Sequence, residues 1–417
     1  MVEEIINVKD INVHGFSNST IRSGKTGSGK TTAGEFEVEN LYMFRGCKIL
    51  DFDSSGRFEN CSYSIPEDDS RMLMYMQNFP DLHTNWKYEP MGFDDEVLLF
   101  CGRNLYSYPQ LPKNFRVVSF KLEDISIDIL RRLLGGTESL GHTLNSFQLK
   151  YGFEVNMQDV WDVLFTNEFR GNRTMFRVSE SQKNMIKVRI QSWLQTGLFN
   201  DKVEKIDLLQ VFKDNKRISC FNSALTFTQD EEQIAYSIVL EKAVKFMIKR
   251  LINHRLVFHI REIHDYNNWD VCAPLINQLL RKGRTLGRAG IDVICDTQRP
   301  IDLKPVIRRQ FSFYMQLQGD YKDAEKMQEI RYIPKQDLER VTRFGVGKGM
   351  LVVGHRYDVP IEFPPTRHKH VSPNSDILKL LGDKHGWRDW DAEEIFVGLT
   401  KEYGGEEEVV EQDDESI

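Results

Sequence analysis

The stretch Gly24-Lys25-Thr26-Gly27-Ser28-Gly29-Lys30-Thr31-Thr32 limits the possible folds more than any other part of the sequence. It meets the pattern G-x-x-x-x-G-K-[ST] and leads into the helix-like run 33–44. Glycines let the backbone curl so that successive N–H groups converge on phosphate oxygens. The following helix presents its positive end to the same oxygens. Lys30 is placed to reach the β- and γ-phosphates, and the Thr31 hydroxyl to ligate Mg²⁺. The expected cofactors are therefore ATP and Mg²⁺, bound by residues 24–32.

Further along, apolar runs at 48–52, 217–221, 256–260, 291–295, 311–317 and 350–353 read as strands, and 97–101 and 115–120 as weaker ones. Helical spacing marks 125–134, 157–165, 179–196, 206–212 and 274–282. Thr228-Gln229-Asp230-Glu231 reads as a capping box opening a helix through Arg250. Strands that are apolar without strict alternation, interleaved with helices, predict an α/β fold with a mainly parallel sheet covered on both faces. Residues 1–66 and 216–370 are expected to form the P-loop domain, with a mostly helical subdomain inserted over 67–215. A helical extension over 371–403 and an acidic, disordered tail over 404–417 follow.

Composition narrows the class. The formal net charge of −7 argues against tight static wrapping of nucleic acid and leaves room for local basic loops. Two runs are candidates: Arg281, Lys282, Arg284 and Arg288, and Arg367-His368-Lys369-His370. The six cysteines form no close metal-type pair and read as reduced thiols. No signal peptide and no stretch of 18 apolar residues is evident, so direct membrane insertion is not expected and the expected location is cytoplasmic.

Catalysis needs an acid at a strand end near the phosphates. The run Leu256-Val257-Phe258-His259-Ile260-Arg261-Glu262 offers Glu262 as the base, with Asp53 and Asp265 next in line. Asp53, closing the run 49–53, is also a candidate metal ligand beside Thr31. Gln298, after the strand 291–295, is placed to sense the γ-phosphate or hold the attacking water.

Taken together, these segments resemble the HerA/FtsK superfamily of P-loop ATPases, and within it the HerA-like, viral genome-packaging and VirB4-like branches. The resemblance rests on 24–32, 49–53, 217–235, 256–264, 279–310 and 347–354, which cover the strands of a main domain that is about half of the chain. Residues 60–215 match nothing in it. It implies a RecA-like core, a homohexameric ring, Glu262 as base, Gln298 as sensor, and Arg284 as a finger reaching into a neighbour's site, with Arg281, Arg288 and Arg308 as rivals. It also implies a motor acting on double-stranded DNA, in viral or plasmid genome packaging. The alternatives are an ATPase driving conjugation, secretion or pilus-like assembly, and a nucleotide-gated scaffold with little turnover. A capsid, nuclease or secretion partner, and virion association in the packaging case, follow from the same resemblance. One departure stands out. The family carries two adjacent acids after this strand, whereas here the first is Arg261. In the site, an arginine would repel Mg²⁺, leave the metal to Thr31, phosphates and water, or lock the loop against Glu262.

Overall fold

The computed structural model describes residues 19–53, 67, 69–78, 88–102, 114–134, 138–223, 226, 228–283, 290–327, 335–353 and 356–368. Its strands are β1 (Thr20–Ser23), β2 (Lys48–Asp53), β3 (Asp95–Phe100), β4 (Phe115–Val118), β5 (Glu168–Phe169), β6 (Asn172–Arg173), β7 (Ile218–Asn222), β8 (Leu256–Ile260), β9 (Ile291–Thr297), β10 (Phe313–Leu317), β11 (Lys348–Val353) and β12 (Arg356–Glu362). All except β5 and β6 join one ten-stranded sheet in the order β12-β11-β10-β1-β9-β8-β2-β7-β3-β4. Neighbours from β10 to β4 run parallel, whereas β10–β11 and β11–β12 are antiparallel.

The parallel part needs cover on both faces, and the strand sequences supply two apolar faces by alternation. Ile49, Val257 and Ile294 pack on Val38 and Leu41 of helix α1 (Lys30–Arg45). The intervening residues Leu50, Phe52, Phe258, Ile260, Val293 and Cys295 face the other way. They join a core that includes Tyr236 of the Gln229–Ile248 helix and Ile276 and Leu279 of the Cys272–Gly283 helix. The Gln229–Ile248 helix starts where the capping pattern places it, with the Thr228 side chain accepting from the Glu231 N–H.

The inserted region differs from the expected one. β3 and β4 extend the main sheet beyond β7, so residues 95–100 and 115–118 belong to the sheet and not to a helical insert. Every residue of β3 is buried, which is what a strand between two parallel neighbours requires. The described helices of the expected insert are Ser70–Asn78 and those within 122–213. The latter part shares one continuous core with the sheet: Phe120, Leu130, Phe147, Trp193 and Phe212 cluster with Phe100, Phe221 and Tyr236. β12 is also new. Beyond residue 368, the expected extension and tail, with Lys369 and His370, lie outside the described residues.

Candidate active site

β1, β9 and β8 are adjacent and parallel, so their C-terminal ends open on one edge of the sheet. That edge is where ligands of open α/β sheets bind. The phosphate loop follows β1, Gln298 follows β9 and Glu262 follows β8. Registers of Ser23 with Thr297 and of Ile260 with Cys295 bring the three ends level.

The loop is held from both sides. The Lys25 N–H donates to the Gln318 carbonyl at 2.8 Å, and the Gly347 N–H donates to the Ser28 carbonyl at 2.9 Å. Gly29 caps α1 with φ 90°, and a Cβ there would meet the Gly347 nitrogen at 2.8 Å. A left-handed backbone at so close an approach admits only glycine. Lys30 is 6% exposed, with Nζ 3.2 Å from the Lys25 carbonyl. Thr31 and Thr32 are half-buried in the first turn of α1. Two observations fit a bound phosphate. No side chain caps the N–H groups at the start of α1, and the fully buried Ser28 Oγ has no hydrogen-bond partner.

Gln298 joins the loop to the acid. Its Oε1 accepts from Thr26 Oγ1 at 2.7 Å, while its Nε2 donates to Glu262 Oε1 at 2.7 Å. The Gln298 N–H donates to Glu262 Oε2 at 3.2 Å. His264 Nδ1 lies 3.4 Å from the same oxygen and 3.2 Å from Thr297 Oγ1. Glu262 itself sits in the left-handed region, φ 47° and ψ 52°, at the start of the Ile263–Asn268 helix. That conformation costs about 1–2 kcal/mol for a non-glycine residue, and the two Gln298 bonds hold it.

Arg261 does not enter this cluster. Its guanidinium is buried between the sheet and α1, 3.0 Å from Asp51 Oδ2 and 3.3 Å from Glu35 Oε1. The reading in which Arg261 faces the metal or locks Glu262 is therefore corrected: alternation along β8 sends residues 259 and 261 to the α1 face. An aspartate at 261 would be buried beside Asp51 and Glu35.

A buried network continues from Arg261. His259 Nδ1 lies 2.9 Å from Asp51 and its Nε2 3.4 Å from Asp296. Arg22 pairs with Asp296 at 2.8 Å and with Glu37 of α1. On the other side, His368 lies 3.6 Å from Glu35 and 2.6 Å from Glu39, and Arg367 pairs with Glu39 at 3.0 Å. Gly34 permits this packing, since a Cβ there would meet His259 Nε2 at 2.7 Å and Arg22 Nη2 at 2.9 Å. Sequence reasoning missed the network. The available signal was charge in the middle of apolar strands, at Arg22, Asp51, His259 and Asp296. Arg367 and His368, 0% and 2% exposed, are corrected from a nucleic-acid loop to part of this network.

Of the other expected site residues, Arg284 and Arg288 lie outside the described residues. Arg281 is exposed, whereas Arg308 is 7% exposed, too buried to reach a neighbouring subunit. The Asp53 backbone closes β2 opposite Asn222, and its side chain lies outside the described set. Among the described residues no group of three or more His, Cys, Asp or Glu could hold a metal ion. Among the described residues five cysteines are buried and form no disulfide, and no described helix is long and apolar enough to cross a membrane.

No protein-family model matches the chain, and no curated protein matches it. Solved structures do. VirB4 of Thermoanaerobacter pseudethanolicus aligns with a TM-score of 0.50 at 15% identity, covering 85% of this chain and 92% of that one. The bacterial conjugative coupling protein TrwB, in an unbound form, aligns with a TM-score of 0.50 at 12% identity, covering 87% and 92%. The chain has a RecA-like P-loop fold. At such identities the likeness is one of fold, and the RecA-like core accounts for the strand-end placement of residues 24–32, 262 and 298.

The network in this RecA-like core sets a pH dependence. Burial opposes charge on His259, but Asp51 and Asp296 outweigh it and raise its pKa to about 10. His368 is also raised, Glu39 and Glu35 outweighing burial. Burial favours the protonated form of Asp51, yet Arg261 and His259 hold its carboxyl below the usual range. With both histidines charged, the five carboxylates face five cations. The stability His259 supplies is complete below its ordinary value of 6.5 and is lost as pH rises toward about 10. Thermal melts should therefore show His259→Gln with a lower midpoint at pH 6.5 and a shallower fall toward pH 10 than the wild type. Parallel pH profiles for the two proteins would contradict the charged network.

Proposed function

We propose that this chain is an ATP-hydrolysing ring motor that translocates double-stranded DNA. The observation that carries the catalytic part is the Thr26–Gln298–Glu262 chain, two 2.7 Å hydrogen bonds linking the phosphate loop to a carboxylate. The motor part rests on the sequence resemblance and on the RecA-like fold.

In this reading the N–H groups of residues 24–32 hold the triphosphate, Lys30 neutralises its β- and γ-oxygens, and Ser28 Oγ gains a partner. Bound Mg²⁺ would offset charge on the transferred phosphoryl group, with Thr31 as its protein ligand and Asp53 as a second candidate. A site with one or two protein ligands suits a metal that keeps its waters and binds largely through phosphates. Glu262 takes the proton of the attacking water. Gln298, bonded to both Thr26 and Glu262, positions that water and reports loop geometry to the acid. Arg284 is proposed to complete the site of the adjacent subunit in a homohexamer. Genome packaging is the favoured cellular role, with conjugation or secretion as the second.

Two substitutions test the assignment by steady-state hydrolysis and nucleotide titration. Lys30→Ala should abolish turnover and weaken ATP binding, because a charge-assisted phosphate contact is lost. Glu262→Gln should bind ATP nearly as the wild type does while turnover falls about 10²–10⁴-fold. The amide still accepts from Gln298 Nε2 but cannot take a proton from water. Undiminished turnover in either variant would overturn the assigned role.

A further inference from the structure

Neither basic run singled out in the sequence supplies a described polyanion surface. Arg367 and His368 are buried against Glu39, and the run near 284 lies largely outside the described residues. The inserted region supplies one instead. Residues 163–200 carry six Lys or Arg and two Asp or Glu, in a chain whose net charge is −7. The cations are Arg170, Arg173, Arg177, Lys183, Lys187 and Arg189.

An excess of bases over acids separates this segment from the rest of the insert. Elsewhere some cations are matched, Arg116 with Glu96 and Glu204, Arg131 with Asp128, Lys205 with Asp201, Lys242 with Asp124 and Lys249 with Glu154, while Lys121, Arg132 and Lys202 stand singly among more numerous acids. Arg170 pairs with Asp159. Arg173, Arg177, Lys183, Lys187 and Arg189 make no ion pair among the described residues. Arg173, Arg177, Lys187 and Arg189 are exposed and Lys183 is half-buried.

The segment is held rigidly. β5 and β6 form a hairpin whose two-residue loop, Arg170-Gly171, has φ of 49° and 83°. Positive φ at both central positions gives the turn that matches strand twist, although Arg is an unfavourable first residue. A bidentate pair offsets that cost: Arg170 Nε and Nη2 each lie 3.0 Å from an oxygen of Asp159, which is 5% exposed. The Glu180–Leu194 helix lies against the same unit. Lys183 and Lys187 set their Nζ atoms 5.7 and 5.8 Å from the Phe165 ring, and Phe165 packs at a tilt against Trp161, centroids 4.5 Å apart. The helix buries Ile186, Ile190 and Trp193, so the cations flank an anchored stripe. Exposed Asn172, Ser181, Asn184 and Gln191 lie between them in sequence and add hydrogen-bond donors suited to phosphate and sugar oxygens.

We infer that this hairpin-and-helix surface, carried by Arg173, Arg177, Lys183 and Lys187, docks the phosphate backbone of double-stranded DNA. The inference rests on the DNA-motor reading and places its contact on the insert. Unpaired cations with polar donors and no base-reading element predict binding without sequence preference and with strong salt dependence. Because the insert shares its core with the sheet, DNA held there is mechanically joined to the strand ends that bear Glu262 and Gln298.

The test is fluorescence anisotropy of a labelled duplex of about 30 base pairs, titrated with the full-length chain between about 50 and 200 mM salt. Arg173→Gln, Arg177→Gln and Lys187→Gln combined should weaken binding at least about tenfold and reduce the slope of log K against log salt by about 2–3, near 0.9 per lost contact. Lys249→Gln, which removes a paired cation outside the surface, should leave the slope unchanged. Hydrolysis without DNA and the thermal midpoint of the triple variant should match the wild type, which excludes misfolding as the cause. Wild type that binds DNA while the triple variant binds with equal affinity and slope overturns the surface and leaves the motor reading standing. Wild type that hydrolyses ATP but binds no duplex overturns both.

Discussion

The guanidinium of Arg261 ties the strand that carries Glu262 to the helix that begins with Lys30. It bridges Asp51 of β2 and Glu35 of α1 in a space almost closed to solvent. A buried ion of this kind is costly to desolvate, and it persists only where partners are fixed around it. Here they are: Asp51 also meets His259, Glu35 also meets His368, and Arg22 closes the far side through Asp296 and Glu37. The geometry of the phosphate loop relative to the strand ends therefore depends on a charged layer beneath α1, in addition to apolar packing at its C-terminal half.

That layer explains how the chain tolerates a buried cation at position 261. The position is adjacent to the site in sequence, but its side chain belongs to the opposite surface of the strand. Glu262, turned by a left-handed backbone, reaches Gln298, while Arg261 reaches Asp51. The acid and the cation thus serve different layers, one facing the nucleotide edge and one anchoring α1. A change beneath the helix would be felt at the loop because α1 carries both Glu35 and Lys30.

The features set by local pattern were legible in the sequence. The phosphate loop, the strand ends before 262 and 298, and the helix opened by Thr228 depend on contiguous residues, and the structure places them as the spacing implies. What escaped the sequence depends on partners far along the chain. Arg261 finds Asp51 across 210 positions, and Arg367 finds Glu39 across 328. Without those partners, Arg367-His368 reads as a solvated basic run. β3 and β4 are short and surrounded by irregular sequence, so their membership of the main sheet follows only from the pairing of β3 with β7 and of β4 with β3. β12 carries Pro360 and several charges, which weakens its strand signal. The unpaired cations of residues 173–189 were present in the sequence, but their lack of counter-ions is visible only in three dimensions.

The central claim is that Arg261 is a structural cation of the α1 layer and not a group of the nucleotide site. A double-mutant cycle measures it most directly. Arg261→Met, Asp51→Asn and the pair together would be unfolded with denaturant, and the coupling taken from the three changes in stability. Each single change should cost about 3–5 kcal/mol by stranding a buried charge, and the pair should cost less than the sum by at least about 0.5–3 kcal/mol. Changes that add within about 0.5 kcal/mol would show that Arg261 and Asp51 do not share a buried interaction, and would contradict the account.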